Sequence, residues 1–354
     1  MVPRGAPTLV GSLPHHNRHE AIRLVFEEMS EIPAWPQLSP YAMEQMMVQY
    51  NEGLPGLVRQ NDRTRFVTTG SPFEQDLLHF YEEYLAVTNG ELNLARSRFR
   101  FGKDAGRTFF TFLEALGRQQ PPPRAVKGQV TGPFTLLAGL RNENDRLALY
   151  DPQLRDVVVK TLALKAQWQA EQLGCLQGSI LIFVDEPGLA GFGSSAFISV
   201  SATEIHLMLE EVVRHIHEAE ALAGVHVCAN TDWSLFFRSS LDVINFDAYN
   251  YFDRFALYRQ DLVNFINRGG LVAWGIVPTT DEHTINRENA ESLVSRWQQQ
   301  VAQLAGDDLS LQDIFRQSLF TPSCGCGTLS EPLAERVVRL TRQVSEGLRW
   351  EILG

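Results

Sequence analysis

Four side chains of the kinds that bind zinc stand where apolar runs of this sequence end: His226, Cys228, Asp247 and Cys324. An imidazole nitrogen, two thiolates and a carboxylate oxygen suit the borderline-soft Zn²⁺ ion, which takes four such donors in a tetrahedral site. Residues two apart on a strand point to the same face, so His226 and Cys228 can aim at one ion. The sequence therefore predicts a zinc site formed by these four residues.

Each of these residues also has a purely structural interpretation. A His-x-Cys pair arises by chance, small cysteines are common in cores, and Asp247 at a strand end is placed to cap the segment that follows. Cys326, two residues beyond Cys324, is a rival thiolate. Cys175, between Gly174 and Leu176, is expected to be a packing residue. The metal prediction therefore depends on whether the fold brings the four residues together.

Length and composition favour a globular cytoplasmic protein. The 354 residues, 44% of them hydrophobic, can bury a large core, and they suit one α/β barrel with an insertion or two ordinary domains. The net charge of −11 argues against a general nucleic-acid partner. No apolar run is long enough for a membrane span, and the N-terminus lacks a signal-like apolar core. Four cysteines are too few for a disulfide scaffold, so clustered ones favour metal binding or catalysis.

Short apolar runs alternate with amphipathic helical stretches, and this rhythm predicts an α/β fold. We expect eight strands, at 8–12, 34–38, 125–130, 180–184, 225–228, 243–246, 271–276 and 318–321. Most are followed by a helical stretch, which is the pattern of a (β/α)₈ TIM barrel with its functional groups at the C-terminal strand ends. A doubly wound open sheet is the alternative, although no Gly-rich phosphate-binding turn follows the first strand.

The barrel is predicted to be one domain over 1–354, with an insertion between its second and third strands. The inserted segment, 39–122, is expected to be mainly helical, with helices around 41–50, 74–87 and 108–118. Besides the four ligand candidates, the strand ends carry Gly11-Ser12 and Asp185-Glu186-Pro187. The same residues would also suit ordinary turns.

Six short motifs follow the order found in the catalytic barrel of cobalamin-independent methionine synthase. They are Gly11-Ser12-Leu13-Pro14, Val130-Thr131-Gly132-Pro133, Asp185-Glu186-Pro187, His226-x-Cys228, Val243-Ile244-Asn245-Phe246-Asp247 and Thr321-Pro322-Ser323-Cys324-Gly325. The chain resembles this family, which belongs to the uroporphyrinogen decarboxylase-like superfamily, over about 1–36 and 124–350. The ordered set of motifs carries the resemblance, since no single one decides it.

The resemblance implies a function and assigns roles to individual residues. It implies that zinc is held by His226, Cys228, Asp247 and Cys324, and that the substrate thiol is gripped by Ser12 and Asp185. Asp185 would pair with the ammonium of an amino-acid thiol, while Ser12 would hold its carboxylate. The expected activity is zinc-dependent transfer of a methyl group to a small thiol such as homocysteine, with no catalytic residue beyond the metal site.

The chain departs from the family pattern in several places. Asp247 stands where the family has a Glu, and 39–122 matches nothing obvious in the family barrel. Cys324 is favoured over Cys326 because it occupies the Pro-x-Cys-Gly position. The family's proton-donating His after strand seven is not found in the run 276–280, and we do not equate the nearby His283 with it.

The absence of the family's proton-donating histidine affects which compound we expect to donate the methyl group. An amine leaving group of a methylated folate needs a proton, whereas a corrinoid leaving as cobalt(I) does not. The hypothesis is therefore a methylcorrinoid donor, free or carried on a corrinoid protein, in preference to methyl-tetrahydrofolate.

Two other functions stay open at this point. One is a metal-free decarboxylase of the uroporphyrinogen decarboxylase type, which binds its polyanionic substrate through Arg and Asp; Arg4 and Arg18 are too scattered to match an Arg-rich start. The other is a non-catalytic barrel that keeps zinc for structure or binds a corrinoid protein. Metal content distinguishes the first of these from the methyltransferase, and acceptance of an added thiol by the zinc distinguishes the second.

Overall fold

The computed structural model describes residues 1–60, 63–174 and 178–354, so Cys175 lies outside the described residues. The strands are β1 (Ala6–Pro7), β2 (Ser12–Leu13), β3 (Gln37–Leu38), β4 (Leu57–Gln60), β5 (Arg63–Phe66), β6 (Ala125–Thr131), β7 (Arg141–Asn142), β8 (Ser179–Asp185), β9 (Leu222–Val227), β10 (Val243–Phe246), β11 (Leu271–Val277) and β12 (Ser318–Pro322).

Helices follow most of the longer strands, as the alternating pattern predicts. They are α1 (Arg18–Glu28), α2 (Ser71–Thr88), α3 (Arg107–Leu116), α4 (Pro133–Gly139), α5 (Pro152–Gly174), α6 (Ala202–Glu218), α7 (Ser234–Phe237), α8 (Ala248–Phe255), α9 (Arg259–Asn267), α10 (Glu282–Arg287), α11 (Ala290–Leu304), α12 (Leu311–Arg316) and α13 (Glu331–Leu353).

Seven strands form one parallel, curled sheet in the order β1-β12-β11-β10-β9-β8-β6. Its long strands read as continuous apolar runs because both faces are covered. A small cluster that includes Ala6, Leu181, Phe183, Val243 and Leu319 packs on one face, and a much larger cluster packs between the sheet and the helices on the other. The α/β class of the prediction is confirmed.

The predicted second strand lies beside β6, an edge strand of this sheet. Ala34 forms a parallel bridge with Lys127 of β6, and the Trp35 amide donates to the Lys127 carbonyl at 3.1 Å. On its other side, β3 pairs in parallel with β2. Regular pairing is confined to Gln37–Leu38, since Pro36 has no amide hydrogen to donate.

The predicted first strand is interrupted between β1 and β2. The buried Lys127 ammonium donates to the carbonyl of Val10 at 2.6 Å, which takes that group out of strand pairing. Gly11 follows with φ +145°, and a Cβ there would lie 2.7 Å from the Gln129 side chain. The break therefore requires glycine, and it turns Ser12 toward the C-terminal ends of the neighbouring strands.

The segment 39–122 contains α2, α3 and an antiparallel hairpin of β4 and β5, which β7 extends. The helix expected over 41–50 is wrong: only a 3₁₀ turn, Ala42–Glu44, forms there. Side chains of this stretch bond to other parts of the molecule instead. Glu44 accepts from Thr108, and the hydroxyl of Tyr50 donates to the carbonyl of Gln129 at 2.7 Å. These tertiary bonds hold the backbone in successive turns.

Across the three described ranges, no helix combines the length and apolarity that a membrane crossing requires.

Candidate metal centre

Three of the four predicted ligands come together at the C-terminal ends of the strands. His226 lies in β9, and Cys228 follows that strand on the same face. Cys324 lies in the turn after β12, where the amide of Ser323 donates to the carbonyl of Val277 at 2.8 Å and anchors the turn. One ligand atom from each of His226, Cys228 and Cys324 lies within 4.8 Å of the other two. This group is the candidate metal centre.

The hydrogen bonds of Asn245 determine which ring nitrogen of His226 could bind a metal. Asn245, its neighbour across β9 and β10, donates its amide hydrogens to the carbonyl of Ala273 at 2.8 Å and the hydroxyl of Thr321 at 2.9 Å. The amide oxygen of Asn245 must therefore face His226 Nδ1, 2.6 Å away, so Nδ1 carries the hydrogen. Nε2 is left as a buried acceptor without a hydrogen-bond partner, which is what a metal ligand requires.

The side chains of Cys228 and Cys324 shift each other's pKa in opposite directions. Cys324 donates to Cys228, and this bond, helped by His226 and opposed by burial, holds the pKa of the Cys228 thiol well below its usual range. The same bond, together with burial, raises the pKa of Cys324. Two cysteine sulfurs beside an imidazole nitrogen form a donor set that fits zinc. Zinc binding there would require both cysteines as thiolates.

Asp247 is not a member of this group. It precedes α8 and caps it: its carboxylate accepts from the backbone amide of Asn250 at 2.9 Å and from the Asn250 side chain at 2.8 Å. Burial, aided by the nearby Cys228, raises its pKa to about 6. Asp247 therefore caps α8, as its structural interpretation expected. Its role as the fourth metal ligand remains a prediction.

The structure also separates the two rival thiols. Cys326 is 2% exposed and packs in the larger hydrophobic cluster, and burial raises its pKa to about 12. Its backbone amide donates to the carbonyl of Ser12 at 2.9 Å. Cys324 therefore faces the candidate centre and Cys326 faces the core.

The three candidate ligands line a cavity of about 330 Å³. One side of the cavity is built from strand ends and the turn after β12, and the other from the segment that follows β3. The lining residues are Val10, Ser12, Gln37, Ser39, Glu44, Gln45, Met46, Asp185, Pro187, His226, Cys228, Cys324, Gly325, Gly327 and Thr328. This lining includes carboxylates, amides and hydroxyls, but neither lysine nor arginine.

Both predicted substrate-binding residues lie in this lining. Asp185 pairs with His226 across β8 and β9, and one of its carboxylate oxygens is buried without a hydrogen-bond partner. Burial raises the pKa of Asp185 to about 6, against the opposing effect of Lys127. The hydroxyl of Ser12 accepts from the Gly327 amide at 3.3 Å. Asp185 thus offers an unsatisfied acceptor, and Ser12 a hydroxyl group, to a ligand in the cavity.

Sequence reasoning missed several residues of the site. Asn245 stands two positions before Asp247, a predicted ligand, so period-two alternation could have singled it out for the predicted site. Lys127 is a lone cation in an apolar run and is fully buried. No sequence pattern predicts the tertiary contacts that segment 41–51 makes.

Comparisons with known proteins leave the family open. No protein-family model matches the chain, and no curated protein matches it. Among solved structures, one match concerns the tandem GH20 catalytic modules of the pneumococcal exo-beta-D-N-acetylglucosaminidase StrH. The identity is 8% and the TM-score 0.47, over 98% of this chain and 86% of that one. A match at this level carries no argument about function.

Proposed function

We propose that this protein is a zinc-dependent methyltransferase that transfers a methyl group to a small thiol such as homocysteine. The catalytic site would lie at the mouth of a single (β/α)₈ barrel over 1–354, with 34–38 as its second strand and 39–122 as an insertion. The bridge from Ala34 to Lys127 and the pairing of β2 with β3 support this position of the second strand. The order of the six motifs supports the choice of reaction.

The observation that carries the proposal is the unpartnered Nε2 of His226 beside two sulfurs that face a cavity. Structural zinc sites are closed by four protein ligands, whereas catalytic sites keep three and leave a position open. His226, Cys228 and Cys324 would hold the ion here. In this proposal Asp247 would be an exchangeable fourth ligand, and each of its carboxylate oxygens would keep a hydrogen bond from Asn250.

Zinc supplies the chemistry of thiol activation, because a thiol bound to it is deprotonated at neutral pH. The protein's own residues would supply the geometry. Asp185 would accept hydrogen bonds from the substrate ammonium, and Ser12 would donate one to its carboxylate. In the transfer, a sulfur–carbon bond forms while the bond between the methyl group and its donor breaks, and the bonding electron pair leaves with the donor.

The proposed methyl donor is a methylcorrinoid, free or bound to a corrinoid protein. Its cobalt(I) leaving group needs no proton, whereas a departing folate nitrogen does. His283, the histidine nearest in sequence to the family's proton donor, is exposed on α10 and does not line the cavity. This arrangement favours a donor that departs without general-acid help.

The test combines metal analysis with X-ray absorption at the zinc edge, with and without homocysteine. We expect one zinc per chain and one additional zinc–sulfur bond when the thiol is added. The zinc-loaded protein should then form methionine from methylcobalamin faster than from methyl-tetrahydrofolate. Zinc that accepts no thiol would favour the non-catalytic barrel, and a metal-free active protein would favour the decarboxylase. A useful rate from methyl-tetrahydrofolate with none from methylcobalamin would overturn the proposed donor.

A further inference from the structure

The wall of the cavity opposite the strand ends comes from the segment after β3, and Met46 is its large apolar side chain. The backbone of Met46 is fixed to the sheet, because the hydroxyl of Thr131 donates to its carbonyl at 2.7 Å. Four residues on, the buried hydroxyl of Tyr50 donates to the Gln129 carbonyl at 2.7 Å. Both bonds attach the segment to β6. The backbone at Met46 therefore cannot move away from the sheet without breaking these bonds.

Other bonds hold the same segment to α1 and to the region of α3. Glu44 is fully buried and accepts from the hydroxyl of Thr108 at 2.7 Å, and Arg18 donates to the same carboxylate at 3.2 Å. Gln49 donates to the carbonyl of Ala105 at 2.7 Å. The wall is thus fastened to the sheet and to the region of α3, so the space in front of Met46 has a defined size.

The position of Met46 relative to Asp185 follows from strand register. Thr131, which holds the Met46 carbonyl, pairs directly with Asp185 across β6 and β8. Asp185 in turn pairs with His226 across β8 and β9. Met46 is accordingly bonded to the strand next to the one that carries Asp185, and both residues line the cavity.

We propose that Met46 sets the chain length of the acceptor thiol. The inference rests on the proposed function, in which the sulfur is held at the metal and the ammonium at Asp185. A substrate fixed at both ends can accommodate another methylene only by bowing away from the strand ends, toward the wall that carries Met46. One methylene group in an apolar pocket changes selectivity by about 10- to 200-fold. Met46 thereby admits a two-methylene amino thiol and excludes a longer one.

Two nearby methionines provide matched controls. Met47 is the next residue, but its methyl group would lie 2.3 Å from a Cβ at Gly139, so it packs on α4. Met43 lies in the 3₁₀ turn, with its sulfur 3.1 Å from Arg59 Nη1. Neither lines the cavity. Truncating them removes the same atoms from the same segment without enlarging the substrate space.

The test is calorimetric titration of the zinc-loaded protein with L-cysteine, L-homocysteine and L-2-amino-5-mercaptopentanoic acid. Wild-type protein should bind homocysteine at least tenfold more tightly than the five-carbon homologue. Met46→Ala should reduce that ratio by tenfold or more, while Met46→Leu, which keeps most of the volume, should largely restore it. Met47→Ala and Met43→Ala should leave it within about twofold of wild type.

The possible failures are distinguishable. If thiols bind wild type but Met46→Ala keeps the wild-type ratio, the role of Met46 is overturned and the proposed function stands. Equal losses for all three thiols in Met46→Ala, Met47→Ala and Met43→Ala would show that the segment is merely structural. If none of the thiols binds the zinc-loaded wild-type protein, both proposals fail.

Discussion

At the scale of single residues, the neutral side-chain amide of Asn245 orients the imidazole of His226. Histidine ligands are usually oriented through their second nitrogen by a carboxylate, a carbonyl or water. Here Asn245 fills that place, and its own orientation is fixed by Ala273 and Thr321. A neutral partner orients the ring without adding negative charge. Two cysteine thiolates would then already balance the charge of Zn²⁺, and a substrate thiolate would make the centre anionic.

Replacing Asn245 with Ala should weaken zinc binding by about 10- to 100-fold, because His226 would lose the bond that fixes its tautomer. The measurement is competition with a chromophoric chelator on protein shown by circular dichroism to be folded. Asn245→Asp restores an acceptor for Nδ1 and should recover part of the affinity. Equal zinc affinity in wild type and Asn245→Ala would contradict the positioning role.

The two neighbouring cysteines give a second prediction. Cys324→Ser should lose stoichiometric zinc, since it removes one of the three donors, whereas Cys326→Ser should keep it. Cys326→Ser should instead lower the free energy of unfolding by about 1–3 kcal/mol, because it buries a hydroxyl in an apolar cluster. Zinc analysis and urea denaturation of both variants provide the measurement. Loss of zinc in Cys326→Ser alone would reverse the ligand assignment.

At the scale of elements, the turn after β12 controls the site by close packing. A Cβ at Gly325 would lie 2.0 Å from the hydroxyl of Ser12 and 3.3 Å from its Cβ. Because glycine has no Cβ, the turn can lie directly against β2. The side chain proposed to hold the substrate carboxylate is thus positioned by a glycine that is distant in sequence.

Gly325→Ala should therefore displace the Ser12 hydroxyl and weaken homocysteine binding by about tenfold, the loss of one hydrogen bond to a charged group. Zinc content should remain at one per chain. Gly174→Ala is the control, since a Cβ there meets nothing within 4 Å. Calorimetric titration measures both, and unchanged thiol affinity in Gly325→Ala would argue against the role of Ser12.

Helix α6, which packs on α5 behind β8 and β9, begins with a capping box formed by Ser201 and Glu204. Hydrogen bonds from the Ser201 backbone, from Arg155 and from the Ser201 hydroxyl lower the pKa of Glu204 to about 2. A carboxyl group whose pKa is depressed on folding stabilises the fold above its ordinary pKa near 4.5, and this contribution is lost as pH falls toward 2.

Glu204→Gln should consequently destabilise the protein at pH 7, and its difference from wild type should shrink between about pH 5 and pH 2. Ser201→Ala, which removes the other half of the box, should cost about 1 kcal/mol at neutral pH. Urea denaturation at several pH values measures both effects. A difference for Glu204→Gln that does not change with pH would contradict the assignment.

At the scale of the whole molecule, the candidate centre joins distant parts of the chain. His226 and Cys228 belong to β9 and its end, while Cys324 follows β12. A ligand that binds only the folded protein stabilises it by about 2.7 kcal/mol at a concentration 100 times its Kd. Zinc should therefore stabilise the entire fold.

Zinc-loaded protein should melt a few degrees above chelator-treated protein, on the order expected for 2–3 kcal/mol in a chain of this size. The Cys228→Ser variant should melt at one temperature with and without zinc. Differential scanning calorimetry provides the measurement. A zinc-dependent rise that persists in Cys228→Ser would place the metal elsewhere.

The sequence by itself determined the α/β class and most of the longer elements, because periodic apolar runs report which faces are buried. The runs 180–184 and 271–276 became β8 and β11 nearly as expected. Where bonds to distant residues control the backbone, the prediction failed: Lys127 interrupts the first strand, and contacts to β6 and α3 replace the helix expected at 41–50. Local sequence patterns do not predict hydrogen bonds between residues that are distant in the chain.

The sequence also determined which residue types could bind a metal, since His, Cys and Asp chemistry is independent of fold. Only the tertiary structure decided that Cys324 faces the centre while Cys326 faces the core, and that Asp247 caps α8. It alone revealed Asn245 as the partner of His226 and Met46 as the wall of the cavity. Within one strand, spacing along the chain determines the face on which each side chain lies. Strand register and turn packing, set by the whole core, decide which of those side chains meet.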